Sequence, residues 1–269
     1  MSEYEIETAI IIFVFGLVIG SFLNVCIHRI PNDGLSIHFP HRSLCPNCQS
    51  PVLFYDNIPI ISFLLLKGKC RSCHIRISTI YPVVELTTAT IFLLLFYHFG
   101  LTLKMIQGCL LVSLFIPIAV IDTRWMIIPN TIILTGIITG LAVIILMTIF
   151  KQDINYLLQH ILWAVVGGIT IQGISILGRF AFRKESMGVG DTKLMILIGL
   201  FLGRWQSILT VLAVAAFTGS TIGIILIISR SKQPHSQIPF APFLVTAATL
   251  DFIWHDQVWV AYLKLIGWQ

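Results

Sequence analysis

The sequence predicts an all-α polytopic membrane protein, on three observations. The chain of 269 residues is 57% hydrophobic and only 11% charged, where soluble domains carry roughly 25% charged residues. Its uncharged stretches are long enough to cross the roughly 30 Å hydrocarbon core as helices. Its basic residues fall in a pattern that separates one side of a membrane from the other.

In chain order, the apolar runs are Thr8–Ile27, Leu86–Leu103, Met105–Ile121, Trp125–Phe150, Ile154–Gly178 and Trp205–Ser229. A further run, Gln233–Leu250, continues to Gly267 with Asp251, Asp256 and Lys264 as its only charges. Together with a short segment from Asp191 to Gly203, these make about eight transmembrane helices. The expected organisation is a first helix over 1–27, a polar insert over 28–80, and a helical membrane domain over 81–269.

The first run is preceded by Glu3, Glu5 and Glu7 rather than by positive residues, so it reads as a retained helix and not as a secretory signal. Its N-terminus is expected outside the cytoplasm. With eight crossings, thirteen of the 17 Lys and Arg residues then fall on the cytoplasmic side, among them Arg29, Arg42, Lys67, Arg124, Arg183 and Arg230. Lys104, Lys151, Arg204 and Lys264 make up the four outside. This is the positive-inside bias. The net charge of +5 needs no nucleic-acid partner, and anionic lipid at the inner leaflet suffices.

The segment Asp191–Gly203 has 13 residues, about 20 Å of helix, and is short for a crossing. A re-entrant segment would put Arg230 and Lys232 outside, against the charge bias. A short helix starting below the lipid surface, in a polar cavity, is preferred.

The insert carries Cys45-Pro-Asn-Cys48 and Cys70-Arg-Ser-Cys73, with 21 residues between them. Each C-x2-C turn presents two thiolates, and two such turns supply the four soft ligands of a tetrahedral zinc site. Four protein ligands leave no open position, so a metal held by Cys45, Cys48, Cys70 and Cys73 would be structural. Disulfide or redox pairs are the alternative, disfavoured by a cytoplasmic location. So small an insert has little core, and Zn2+ would supply much of its folding energy. Cys26 and Cys109 read as small hydrophobes. His28, His38, His41 and His74 are spare ligands that the site does not need.

Two acids stand out in the membrane domain. Asp122 ends an uncharged run, and Asp191 lies in Gly188-Val-Gly-Asp-Thr-Lys-Leu194, where Gly188 and Gly190 permit close backbone approach. Charge topology puts both on the cytoplasmic side at similar depth. Intramembrane carboxylates are costly and mark function. Two brought together share a proton, one acting as base towards water and the other as acid towards an amide. That is aspartic-protease chemistry; ion or proton coupling in a transporter explains the same acids equally well from topology alone. Helix capping is the bland account of each. Lys193 is near enough in sequence to act on Asp191.

The ordered set of motifs resembles the type IV prepilin peptidase family. It comprises Gly20-Ser-Phe-Leu-Asn-Val25, Arg29-Ile-Pro31, the two cysteine turns, Tyr55-Asp-Asn-Ile-Pro-Ile60, Tyr81-Pro-Val-Val-Glu85, Asp122 with Ile128-Pro-Asn130, Gly188–Leu194, and Pro239-Phe-Ala-Pro-Phe-Leu244. The resemblance implies a bifunctional enzyme of a bacterial inner membrane, with Asp122 and Asp191 as catalytic dyad and the four cysteines on zinc. It implies cleavage of the short basic leader of prepilins or pseudopilins, then methylation of the new N-terminal residue from S-adenosylmethionine. Without a recognisable cofactor fold, Gly20, Asn24, Arg29 and Glu85 are the candidates for the methyl donor or the substrate amine, because topology places them at the same boundary. Asp33 and Asp56 are the acidic residues that the insert offers a basic leader. Phe54, Asn130 and Ala241 depart from the family's usual residues without touching dyad or zinc ligands. A leader peptidase lacking methyl transfer is the remaining alternative.

Overall fold

A computed structural model describes residues 3–32, 43–182, 188–229 and 238–265. Asp33, His38, His41, Arg42, Arg183, Lys184, Arg230 and Lys232 lie outside the described residues. Within them the helices are α1 (Glu3–Arg29), α2 (Ile61–Leu65), α3 (Ile80–Phe99), α4 (Leu103–Trp125), α5 (Asn130–Lys151), α6 (Ile154–Phe182), α7 (Val189–Leu202), α8 (Trp205–Ile228) and α9 (Ala241–Leu265), with one 3-10 turn at Phe54–Asn57. The all-α expectation holds: pairing between extended segments is confined, among the described residues, to two isolated bridges.

Six helices are long and apolar enough to cross a membrane: Tyr4–Arg29, Ile80–Phe99, Leu103–Trp125, Asn130–Lys151, Ile154–Phe180 and Trp205–Ile228. The chain is therefore a multi-span membrane protein. α7, with 14 residues, is too short to belong to that set. α9 has 25 residues but is broken at Trp254, where φ is −119° and ψ is 27°.

Helix ends differ from the uncharged runs in two informative places. α3 starts at Ile80 and passes through Glu85, because the buried carboxylate is satisfied: its Oε2 accepts the Ile60 N–H at 2.8 Å. α4 continues past Asp122 for another turn, and the Asp122 carbonyl accepts the Met126 N–H at 2.9 Å. Met126, at φ +54°, then ends the helix, and extended Pro129 leads into α5.

The chain forms two compact units, Met1–Pro117 and Ile118–Gln269. In the first, α1 packs along α3 through Gly16 and Gly20. A Cβ at either would lie 2.6 Å from a backbone Cα, of Ala89 and Glu85 respectively. Small residues four apart let helix backbones approach in lipid, where apolar surface alone gives little drive to associate.

In the second unit α7 is the central helix, packed by α5, α6, α8 and α9, with Leu194, Met195, Leu197 and Ile198 fully buried. α6 meets it closest, with Gly199 against the Trp163 carbonyl and Gly168 under the Ile196 side chain. A helix surrounded by others needs neither length nor polar ends to reach both lipid surfaces. This accounts for its 14 residues. Left-handed Gly203 ends it against the His160 ring, whose Nδ1 lies 2.7 Å from the Leu200 carbonyl.

Candidate active site

Asp122 and Asp191 both belong to the second unit, and the turn that follows Asp122 packs on the segment that carries Asp191. Asp122 is on the last turn of α4, with its side chain buried. Its Oδ2 accepts the backbone N–H of Ala241 at 3.1 Å. Ala241 opens α9, so the carboxylate faces the positive end of a helix dipole and one of its free N–H groups.

Asp191 is the third residue of α7. Its Oδ2 accepts the Gly188 N–H at 3.3 Å, while its own N–H donates to the Gly188 carbonyl at 3.1 Å. This reciprocal pair is half of a capping box: the Asp191 side chain caps as such a residue does, and the Gly188 carbonyl stands where a cap side chain would accept. One oxygen of each carboxyl is thus held by a backbone N–H. Among the described residues no protein donor occupies either Oδ1, which leaves both open to water or substrate.

The glycines before Asp191 have different tasks. Gly188 supplies the cap. Gly190 lies under Ile128, whose Cβ, Cδ1 and Cγ1 would be 3.1, 3.2 and 3.3 Å from an added Cβ. The Ile128-Pro-Asn130 segment and the Gly-Val-Gly-Asp segment are therefore packed on each other. Lys193 completes the contact by donating from Nζ to Asn130 Oδ1 at 2.7 Å. Its partner is Asn130 and not Asp191: among the described residues no ion pair joins Lys193 to the acid two positions before it.

The four cysteines of the insert also meet. Their Sγ atoms all lie within 4.8 Å of one another, and Cys45 and Cys73 are 3.8 Å apart. The two turns repeat one geometry. Cys45 N–H bonds the Ser50 carbonyl and Gln49 N–H the Cys45 carbonyl; Cys70 N–H bonds Ile75 and His74 N–H bonds Cys70 in the same way. Gln49 and His74 occupy the same left-handed position, at φ +56° and +57°. Such knuckles aim backbone N–H groups at sulfur. The Cys48 thiol is lowered to about 6 by the hydroxyl and backbone of Ser50, and the backbone N–H groups of Cys73 and Ser72 lower Cys70. Thiolates at this spacing fit a tetrahedral metal. A bidentate Arg71–Asp56 pair, at 2.8 and 2.6 Å, ties the second turn to the Phe54–Asn57 segment.

Gly20, Asn24 and Glu85 come together where α1 crosses α3. Asn24 Nδ2 donates to the Tyr81 carbonyl at 3.0 Å, Gly20 abuts Glu85, and Glu85 accepts the Ile60 N–H. Arg29 is buried at the end of α1 and engaged within the protein.

Comparison with known proteins bears on this arrangement. Residues 14–99 match the bacterial peptidase A24 N-terminal domain, and residues 109–224 match the type IV leader peptidase family. A prepilin leader peptidase/N-methyltransferase of Stutzerimonas stutzeri is 30% identical over 274 residues, spanning 93% of this chain and 92% of the relative. The chain belongs to the type IV leader peptidase family. A relative of the same description from Myxococcus xanthus is 36% identical over 224 residues, 83% of this chain but 64% of its own length. One from Pseudomonas aeruginosa is 28% identical over 290 residues, covering all of this chain and 98% of the relative. No solved structure matches the chain.

For this family member, sequence reasoning missed two groups that hold the segments of the two acids. Ala241 acts through its main chain, so its side chain carries no signal; the clue was a helix start after Pro239 with a second proline, Pro242, tolerated in the first turn. Asn130 stands out in the sequence only as a departure from the family's usual residue, yet a polar residue opening a helix opposite Lys193 is the kind of partner that lysine needs.

Proposed function

We infer that the chain is an aspartic leader peptidase of a bacterial inner membrane that cleaves prepilin-type leader peptides, with Asp122 and Asp191 as the catalytic pair. The observation that carries this assignment is that the turn after Asp122 packs on the segment of Asp191, 69 positions away, with both carboxyls oriented by backbone N–H groups at helix starts.

In this reading the pair holds one proton. The ionised carboxylate takes a proton from water as the hydroxide adds to the scissile carbonyl carbon. The protonated partner gives its proton towards the carbonyl oxygen. Collapse breaks the C–N bond as a proton passes to the leaving amine, giving a carboxyl-ended leader and a new N-terminus. Fixing one oxygen of each acid by a backbone N–H restricts its rotamer before substrate arrives, which lowers the cost of reaching a reactive geometry.

The substrate is a prepilin or pseudopilin, a membrane helix with a short basic leader. A dyad at the cytoplasmic boundary meets the junction between leader and helix. The proposal includes eight crossings, with α7 and α9 added to the six clear spans, an extracytoplasmic N-terminus, and residues 28–80 as a cytoplasmic insert folded on structural Zn2+. Positive-inside charge supports this orientation.

Methyl transfer from S-adenosylmethionine is part of the proposal because the relatives carry that activity in their description. Bound there, the donor would supply an electrophilic methyl group. The residues expected to serve it have framework tasks: Asn24 holds Tyr81, Glu85 holds Ile60, and Gly20 allows the helix crossing. No methyl-transfer step is assigned to them.

The test is cleavage of a purified prepilin by the protein in nanodiscs, read by mass spectrometry of the product N-terminus, with and without S-adenosylmethionine. Asp122→Asn and Asp191→Asn should each abolish cleavage while leaving the protein folded. Undiminished cleavage by either variant would overturn the dyad. A product 14 Da short in the presence of donor would remove methyl transfer alone (a methyl replacing hydrogen adds about 14 Da).

A further inference from the structure

Among the described residues of the insert, the apolar side chains of 54–65 do not form a core. Neither the Phe54–Asn57 turn nor α2 contains a buried residue. Phe54 is 85% exposed, Leu65 77% and Leu64 67%, with Ile58 and Ile61 also exposed. On a segment standing in water this would be a contiguous apolar patch of the sort that marks a binding surface.

Its depth says what covers it. α3 is 20 residues, about 30 Å long, which is no more than the hydrocarbon thickness it must cross. Glu85 is the sixth residue of that helix, about 7 Å in from its start. Because Glu85 Oε2 accepts the Ile60 N–H at 2.8 Å, the backbone entering α2 is fixed at a level inside the helix's own span. Ile60 turns sharply there, at φ +61° and ψ −50°. α2 then presents Ile61, Leu64 and Leu65 outward.

The turn that follows, Lys67 at φ +52° and Gly68 at φ +67° with the Phe63 ring closed over it, leads straight to Lys67 and Lys69. An apolar patch at the edge of the hydrocarbon, ended by lysines that reach headgroups, has the chemistry of an interfacial membrane anchor. The Arg71–Asp56 clamp ties the start of this segment to the second cysteine turn.

We propose that residues 54–65 are seated in the acyl–headgroup boundary of the leaflet beside them, with Lys67 and Lys69 on anionic lipid phosphates, so that the insert is held to the membrane by a third attachment besides α1 and α3. The occupant is lipid. The charge of the rim and the hydrogen bond that fixes Ile60 beside a membrane-spanning helix favour it over a protein partner.

The test places a benzophenone side chain at Phe54 or Leu65 of the full chain in nanodiscs, with illumination in the presence and absence of prepilin. Phospholipid adducts at both positions, seen by mass spectrometry and unchanged by prepilin, are expected. Their yield should be higher in phosphatidylglycerol than in phosphatidylcholine, and that difference should shrink in the Lys67→Glu, Lys69→Glu protein. Adducts mainly on prepilin or on a second copy of the chain, or no lipid adduct at either position, would overturn the proposal. Equal yields in the two lipids would overturn the role of the lysines.

Discussion

Gly190→Ala separates the geometry of the dyad from the stability of the fold. Gly190 does not occupy the left-handed region: the glycines found at positive φ among the described residues are Gly68, Gly100 and Gly203. An alanine there is therefore opposed by space and not by backbone strain. Its Cβ would stand 3.1 to 3.3 Å from three atoms of Ile128, where carbon pairs prefer about 3.5–4.0 Å. Relief needs a displacement of about 0.5 Å between the segment carrying Asp191 and the segment carrying Ile128. Crowding of this kind costs about 1 kcal/mol, and alanine in the first turn of a helix returns up to about 1 kcal/mol relative to glycine. The net change in stability should be small. Activity is less forgiving: a misplacement of about 1 Å can cost about 100-fold, so half of that predicts a loss of about tenfold in kcat. Prepilin cleavage in nanodiscs, with kcat and KM measured beside a thermal melt, checks this. Ile128→Ala in the Gly190→Ala background removes the Cγ1 and Cδ1 contacts but keeps the Cβ at 3.1 Å, so it should recover only part of the loss. Full activity in Gly190→Ala, or a double variant worse than the product of the singles, would refute the reasoning.

The remaining predictions concern the insert and the helix crossing. Stripping zinc with a chelator, or Cys45→Ser, should unfold the insert and expose it to protease, because the metal contributes on the order of 10 kcal/mol in such small modules; Cys109→Ser, within α4, should leave protease resistance unchanged. Arg71→Ala should speed zinc release about two- to fivefold at neutral pH. Arg71 holds the Asp56 carboxyl below its usual range, so the pair's contribution is complete above the ordinary carboxylate pKa of about 4 and is lost as pH falls through the lowered one. The difference in release rate between wild type and variant should therefore shrink in acid. Gly20→Val should prise α1 from α3, since its Cβ would meet Glu85 Cα at 2.6 Å; a cost of about 3 kcal/mol should appear as a lower melting temperature in detergent, with Gly20→Ala milder.

Much of the membrane architecture was legible because lipid imposes a simple rule: crossing helices are long and uncharged. The rule misplaces ends wherever a buried acid has a partner. Glu85 and Asp122 both lie within helices that the charge-free runs would have stopped short of them, because a backbone N–H from elsewhere in the chain satisfies each. The cysteine spacing announced that the four thiols meet, since four soft ligands on two tight turns are the donor set of a metal. What the spacing could not carry was the patch at Phe54 and Leu65, whose exposure depends on where Glu85 pins Ile60. The short α7 was readable as an oddity, and its cause, enclosure by four other helices, is tertiary.

Among the described residues two helix starts, and no basic side chain, hold the acids. An arginine or lysine paired with Asp122 or Asp191 would stabilise one charge state strongly, and a carboxyl fixed in one state cannot both accept and return a proton. A backbone N–H orients an oxygen with a partial charge and cannot itself titrate. Lys193, the nearest candidate for such a pairing, is instead turned to the amide oxygen of Asn130. That contact fixes Asn130, at the start of α5, against the segment that carries Asp191. Lys193→Met should therefore loosen the alignment of Asp191 and lower kcat, while leaving the acid limb of the pH–rate profile in place. A displaced limb would mean that the lysine acts on the proton of the dyad through its charge.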